Sequence, residues 1–141
     1  MTSTLEQFLP VLLANVTLPP KLQKELEELS RVHPVGASEE GDWINLIFTQ
    51  FPLGDGFSTL TSDLLVRVPR SYPDAGPDMF WLDQSLTLAG GRVPQNADAI
   101  EGPYAGRRWR RFSWHRQRWN SSVDNIHGHL EFIRRRLQEK R

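Results

Sequence analysis

Three prolines, Pro69, Pro73 and Pro77, fall within nine residues. Proline fixes its own φ and has no N–H to give to a ladder or a helix. No helix and no central strand can run through this stretch, so it must be an irregular crossing between regular elements. It divides the chain into two parts with different patterns. Before it, Val35, Trp43, Ile44, Leu46, Phe48 and Phe51 mark extended segments around the turn-like GASEEGD at 36–42. Residues 46–51 read as a strand, Pro52-Leu53-Gly54-Asp55-Gly56 as a turn, and 57–68 as the next strand. After it, 79–82 fits one more short strand, while 83–108 is interrupted by Gly90, Gly91, Pro94, Gly102, Pro103 and Gly106 and reads as a long loop.

Helical periodicity appears only near the two ends. Pro20 is suited to a first helical position, and Leu22, Leu26 and Leu29 follow at helical spacing, which predicts a helix over about 20–30. Val123, Ile126, Leu130, Ile133 and Leu137 predict a second. Ser121 and Ser122 are its expected caps, with Asp124 completing a box-like pattern, and Arg134, Arg135 and Arg136 suit the negative end of its dipole. The expected class is therefore α+β, an antiparallel meander of three to four strands flanked by an N-terminal and a C-terminal helix. Residues 1–19 are expected to be an N-terminal arm, and 20–141 one domain.

The chain of 141 residues has no net charge, yet the charge is unevenly placed. Residues 1–100 carry 6 basic and 13 acidic side chains, a net of −7, and residues 101–141 carry 11 and 4, a net of +7. This implies internal pairing or a polarised surface that meets a charged partner. There is no cysteine, so disulfides, thiolate metal sites and a cysteine nucleophile are excluded. The apolar run at 8–13 is broken by Pro10 and too short to span a bilayer, and Glu6 rather than a basic region precedes it. The expectation is a cytoplasmic protein with no signal peptide and no membrane partner. No cofactor is expected. Gly90-Gly91 lacks the context of a phosphate loop, and His127 and His129, two apart on a helix, do not share a face for a metal. His33 is given no role.

Several segments resemble the ubiquitin-conjugating-enzyme (UBC) fold. KLQKELEEL is similar to its first helix, and SYPDAGPDMF to its signature of Tyr72, Pro73, Pro77 and Phe80. RQRWNSSVDNIHGHLEFI resembles the tryptophan after the catalytic segment, here Trp119, and the helix behind it. The wording YPDAGPDMFW, RFSWHR and the helical HL-FIR-RL is similar to the prokaryotic UBC-like family E, over roughly 20–138. That resemblance implies a bacterial ubiquitin-like conjugation pathway, with a ubiquitin-like protein and its activating enzyme as partners. In one respect the chain departs from the pattern. The cysteine that carries the modifier is missing, and so is the His-Pro-Asn before it.

The stretch RRFSWHRQRW at 110–119 is where chemistry would sit. Ser113 is the only hydroxyl near the position of the missing cysteine, and His115 is two residues on. In an extended segment the two share a face, so His115 could act as base to a Ser113 nucleophile and give an oxyester. A serine between aromatics is most often a packing or turn residue, and His115 reads equally as a structural histidine. Trp109, Trp114 and Trp119 are expected to divide between core and groove. Arg107, Arg108, Arg110, Arg111, Arg116 and Arg118 either pair with the acidic part of the chain or form a docking surface for an acidic partner. Arginines among aromatics also suit single-stranded nucleic acid, but zero net charge and the confinement of basic residues to one end weigh against it. Asp74, Asp78 and Asp83 read as turn-capping residues. Two functions stay open: an atypical conjugating enzyme carrying the modifier on Ser113, and a non-catalytic UBC variant that binds the modifier or its activating enzyme.

Overall fold

The computed structural model describes residues 17–116 and 118–139. Most of the expected N-terminal arm lies outside these. Helix α1 (Pro20–Leu29) begins with its proline in the first turn, as the sequence predicts, and buries Leu22, Leu26 and Leu29. Six antiparallel strands follow: β1 (Val35–Glu40), β2 (Trp43–Pro52), β3 (Thr61–Pro69), β4 (Phe80–Asp83), β5 (Ile100–Tyr104) and β6 (Arg107–Phe112). They form one sheet in the order β1-β2-β3-β4-β6-β5. Helix α2 (Ile126–Glu139) closes the chain's described part and buries Ile126, Leu130, Ile133 and Leu137.

The α+β class holds, but the sheet has six strands where three to four were expected. The segment 36–40 is strand β1 rather than turn, and the reversal is confined to Gly41 and Asp42. Strand β3 starts at Thr61, not at residue 57. The larger correction is the β5–β6 hairpin, whose strand β5, turn and first two β6 residues fall inside the expected loop 83–108. Strand β6 is RRWRRF, where arginine stems occupy positions an apolar alternation would mark. Strand β5 carries Pro103, which is tolerated because β5 is an edge strand. Its register shifts between Glu101 and Tyr104. Gly102 sits in that shift at φ +127, and a Cβ there would lie 2.8 Å from the Arg107 carbonyl oxygen, so only glycine fits.

The main core lies between one sheet face and the two helices. Leu64, Val66, Val68, Phe80, Leu82 and Phe112 meet the leucines and isoleucines of α1 and α2 there. Phe80 and Phe112, register partners on β4 and β6, stack at 5.0 Å. The opposite face holds a smaller cluster of Leu65, Trp81 and Trp109, with Ile47, Met79 and Tyr104 against it.

A buried carboxylate fixes the helices to the proline crossing. Glu25 on α1 is buried. Its Oε1 accepts the Tyr72 hydroxyl at 2.7 Å and the Ile126 backbone N–H at 2.7 Å. The second donor is the first N–H of α2, so the acid also meets the positive end of that helix. Burial and the hydrogen bond to Glu25 raise the Tyr72 phenol well above its ordinary range, so it stays a donor. Lys21 extends the link by donating to the Asp124 carbonyl at 2.9 Å.

The start of α2 differs from expectation. Val123 is 69% exposed and precedes the helix. Asn125 is the cap, its Oδ1 accepting the Gly128 N–H at 2.7 Å. Asp124 instead accepts the Asn120 N–H at 2.7 Å, closing the turn that contains Ser121 and Ser122. The fold yields a direct prediction. Tyr72→Phe leaves the Glu25 carboxylate with one donor fewer and should cost about 1.5–3 kcal/mol in urea unfolding. A loss below about 0.5 kcal/mol would show that the hub is not what holds the crossing.

Candidate functional site

The segment 107–119 divides at Phe112. Up to that residue it is strand β6, and its side chains are committed to the sheet. Trp109 is fully buried, its indole N–H donates to the Tyr104 carbonyl at 2.9 Å, and the Arg107 guanidinium stacks 3.9 Å over its ring. Arg107 also pairs with Asp63 and Asp83. Arg111 pairs with Glu101 at 2.7 Å, and Glu101 accepts the Trp81 indole at 2.9 Å. Arg110 donates to the Ala97 carbonyl at 2.7 Å, and Arg108 to that of Ile100 at 3.4 Å. Trp109, expected among the partner-binding residues, exposes no surface here. Arg107, Arg110 and Arg111 close the strand's own polar groups and faces. Arg107 and Arg108 also line a shallow acidic and basic recess with Asp63, Asp83, Gln84 and Ser85.

Beyond Phe112 the chain leaves the sheet and runs beside α2. Here aromatic rings and guanidinium groups alternate in space. Arg136 of α2 lies 4.9 Å from the Trp114 ring centroid and 5.3 Å from that of Phe132. Arg116 lies 6.0 Å from Phe132 and 5.2 Å from Trp119. The series Trp114, Arg136, Phe132, Arg116, Trp119 staples the segment to the helix through cation–π contacts, each worth about 0.5–1 kcal/mol where exposed and more where water is excluded. Trp119 ends the series against the proline crossing. Its indole N–H donates to the Pro73 carbonyl at 2.7 Å, and its ring lies 5.7 Å from Tyr72. A Cβ on Gly76 would lie 2.2 Å from the Trp119 ring, so glycine there makes the seat.

Ser113 and His115 are close in sequence but separately engaged. The Ser113 hydroxyl donates to the Asn96 carbonyl at 3.2 Å, and its backbone N–H reaches the same oxygen at 2.9 Å. His115 Nδ1 donates to Asp78 Oδ2 at 2.6 Å, and the other Asp78 oxygen accepts the Arg116 N–H at 2.9 Å. No hydrogen bond joins Ser113 to His115 among the described residues. In this arrangement the two expected catalytic residues bond to different partners. Asp78 is the residue the sequence reading missed. Read as a turn cap, it clamps 115–116 to the crossing, and only the tertiary fold brings residues 37 positions apart together.

Beneath this segment lies His129, fully buried. Its ring stacks 5.5 Å from Phe132, and its Nε2 donates to the Met79 carbonyl at 3.2 Å. Burial, helped by Arg116, lowers its pKa from 6.5 to about 4.

Set beside known families, residues 18–140 match the model of prokaryotic E2 family E. The chain belongs to that family. Among the curated proteins and among the solved structures, none matches it. Family membership agrees with the resemblance carried by Tyr72, Pro73, Pro77, Phe80 and Trp119, of which Tyr72, Pro73 and Trp119 meet at the crossing. No helix among the described residues is long and apolar enough to cross a membrane.

The buried histidine gives a pH prediction. Below pH 6.5 the unfolded chain takes up a proton at this site that the folded chain refuses until about pH 4. The contribution is complete above pH 6.5 and is lost as pH falls through that window, amounting to about 3 kcal/mol. Unfolding midpoints measured from pH 7 to pH 4 should fall more steeply in the native chain than in His129→Leu. Parallel slopes would contradict the assignment.

Proposed function

We propose that this member of the E2 family is a non-carrying module that binds a ubiquitin-like protein or its activating enzyme. With no cysteine in the chain, a thioester is closed to it. The observation that favours binding over transfer is the hydrogen bond from the Ser113 hydroxyl to the Asn96 carbonyl. A serine becomes a competent nucleophile when a base accepts its proton, and a backbone carbonyl is no base. The one nearby imidazole is turned to Asp78.

One observation favours the alternative, an oxyester carrier. A carboxylate on Nδ1 is how a general base is oriented, and it leaves the other ring nitrogen of His115 available. The His115 side chain is 63% exposed, so that nitrogen faces solvent and not a desolvated site. This makes it a weaker base assembly than a buried pair.

Intact mass spectrometry separates the two. The protein is incubated with a ubiquitin-like protein, its activating enzyme and ATP, and Ser113→Ala is run alongside. The expected result is no covalent adduct in either protein, with calorimetric binding unchanged by Ser113→Ala. An adduct that survives thiol reductant, is cleaved by base and is missing from Ser113→Ala would replace this reading with the carrier.

A further inference from the structure

The staple described above leaves an open groove between the segment after β6 and α2. It holds about 260 Å³ and is lined by His115, Arg116, Arg118, Phe132, Arg135 and Arg136, with Gly128 at its floor. Its charge is not balanced from within. Arg116 reaches Asp124 at 3.6 Å, Arg136 pairs with Glu139 at 3.1 Å, and Asp78 is taken by His115. Arg118 and Arg135 are exposed and have no ion pair among the described residues. Two further guanidinium nitrogens, Arg116 Nη1 and Arg136 Nε, are buried with no acceptor among the described residues.

Buried nitrogens without an acceptor also occur on β6, at Arg110 Nε and Arg111 Nε, and Arg107 there lies over the Trp109 ring. What sets the groove apart is that Arg118 and Arg135 are exposed with no ion pair among the described residues. In the groove, Arg116 and Arg136 lie beside rings, 5.2 Å from the Trp119 centroid and 4.9 Å from that of Trp114. Phe132 supplies an apolar strip between the two charges.

We infer that this groove docks a short acidic peptide segment of a protein partner, with Arg118 and Arg135 making the carboxylate contacts that decide binding. The inference rests on the binding-module reading and names its surface. Charge complementarity selects the occupant. Four guanidinium groups face three carboxylates from this chain, Asp78, Asp124 and Glu139, and Arg118 and Arg135 are left for aspartate or glutamate side chains of the partner. A nucleic acid fits less well. Its charge extends far beyond the groove, and residues 1–100 of this chain are net −7.

The test uses the full chain labelled with ¹⁵N. The probe is a blocked eight-residue peptide alternating glutamate and glycine. Its glutamine counterpart, a thymidine octamer and inorganic phosphate are the comparison arms. The glutamate peptide should give saturable shifts of the Trp114 and Trp119 indole N–H signals and of the Phe132 amide. The glutamine peptide should give none. Arg118→Glu with Arg135→Glu, two exposed positions, should keep a dispersed spectrum and bind the peptide at least roughly tenfold more weakly. No shift with the glutamate peptide, or tighter binding of the octamer or of phosphate, would overturn the inference.

Capture of the ubiquitin-like protein and of the activating enzyme is measured in parallel. If capture persists in the double variant while the peptide has no effect, the groove assignment is wrong and the binding-module reading stands. If the peptide binds as expected but neither protein is captured, the groove stands and that reading falls.

Discussion

One oxygen atom, Oε1 of Glu25, is where the two helices and the proline crossing meet. It takes a hydroxyl from the crossing and the leading N–H of α2 at 2.7 Å each. Burying a carboxylate is costly unless donors replace its water. Here the donors come from elements that would otherwise have no fixed relation to α1. Tyr72 then positions Pro73, whose carbonyl seats Trp119, and Trp119 begins the alternation of rings and guanidinium groups that sets the groove. The site is downstream of the carboxylate in this physical sense.

The same residue types serve two purposes on either side of Phe112. On β6, strand geometry sends alternate side chains to opposite faces. Arg107, Trp109 and Arg111 share the outer face, where stacking on Trp109 and pairing with Glu101, Asp63 and Asp83 finish a surface on the side of the sheet away from α1 and α2. Past Phe112 the backbone is no longer paired to a neighbouring strand, and the arginines find rings on α2. The sequence looks continuous through 107–119. The structure divides it according to whether the backbone is in the ladder.

What could be read from the sequence was whatever announces itself by periodicity or by proline. The leucine spacing of α1, the apolar repeat of α2 and the crossing at 69–77 appear where expected. The β5–β6 hairpin was hidden because Arg108 and Arg110 stand where an alternation with Phe112 would show leucine or valine, and because Gly102 and Pro103 read as loop. Of the candidate site, the location near 113–119 was legible and the partnerships were not. Asp78 to His115, Asn96 to Ser113 and Arg136 to Trp114 join residues far apart in the chain, and local pattern carries no trace of them. Spacing lets Ser113 and His115 share a face if the stretch is extended. In the structure Ser113 bonds to the Asn96 carbonyl and His115 to Asp78.

The Glu25 hub also fixes an order of events when the chain is made. Its partners follow it by 47 and 101 residues. At a ribosomal pace of roughly 5–20 residues per second, α1 emerges and waits about 5–20 s before Ile126 has been added. For the first part of that interval the acid has only water to satisfy it, and Tyr72 arrives before Ile126 does. The hub is complete only once the start of α2 has been made, which places the joint packing of the two helices on the sheet late in synthesis.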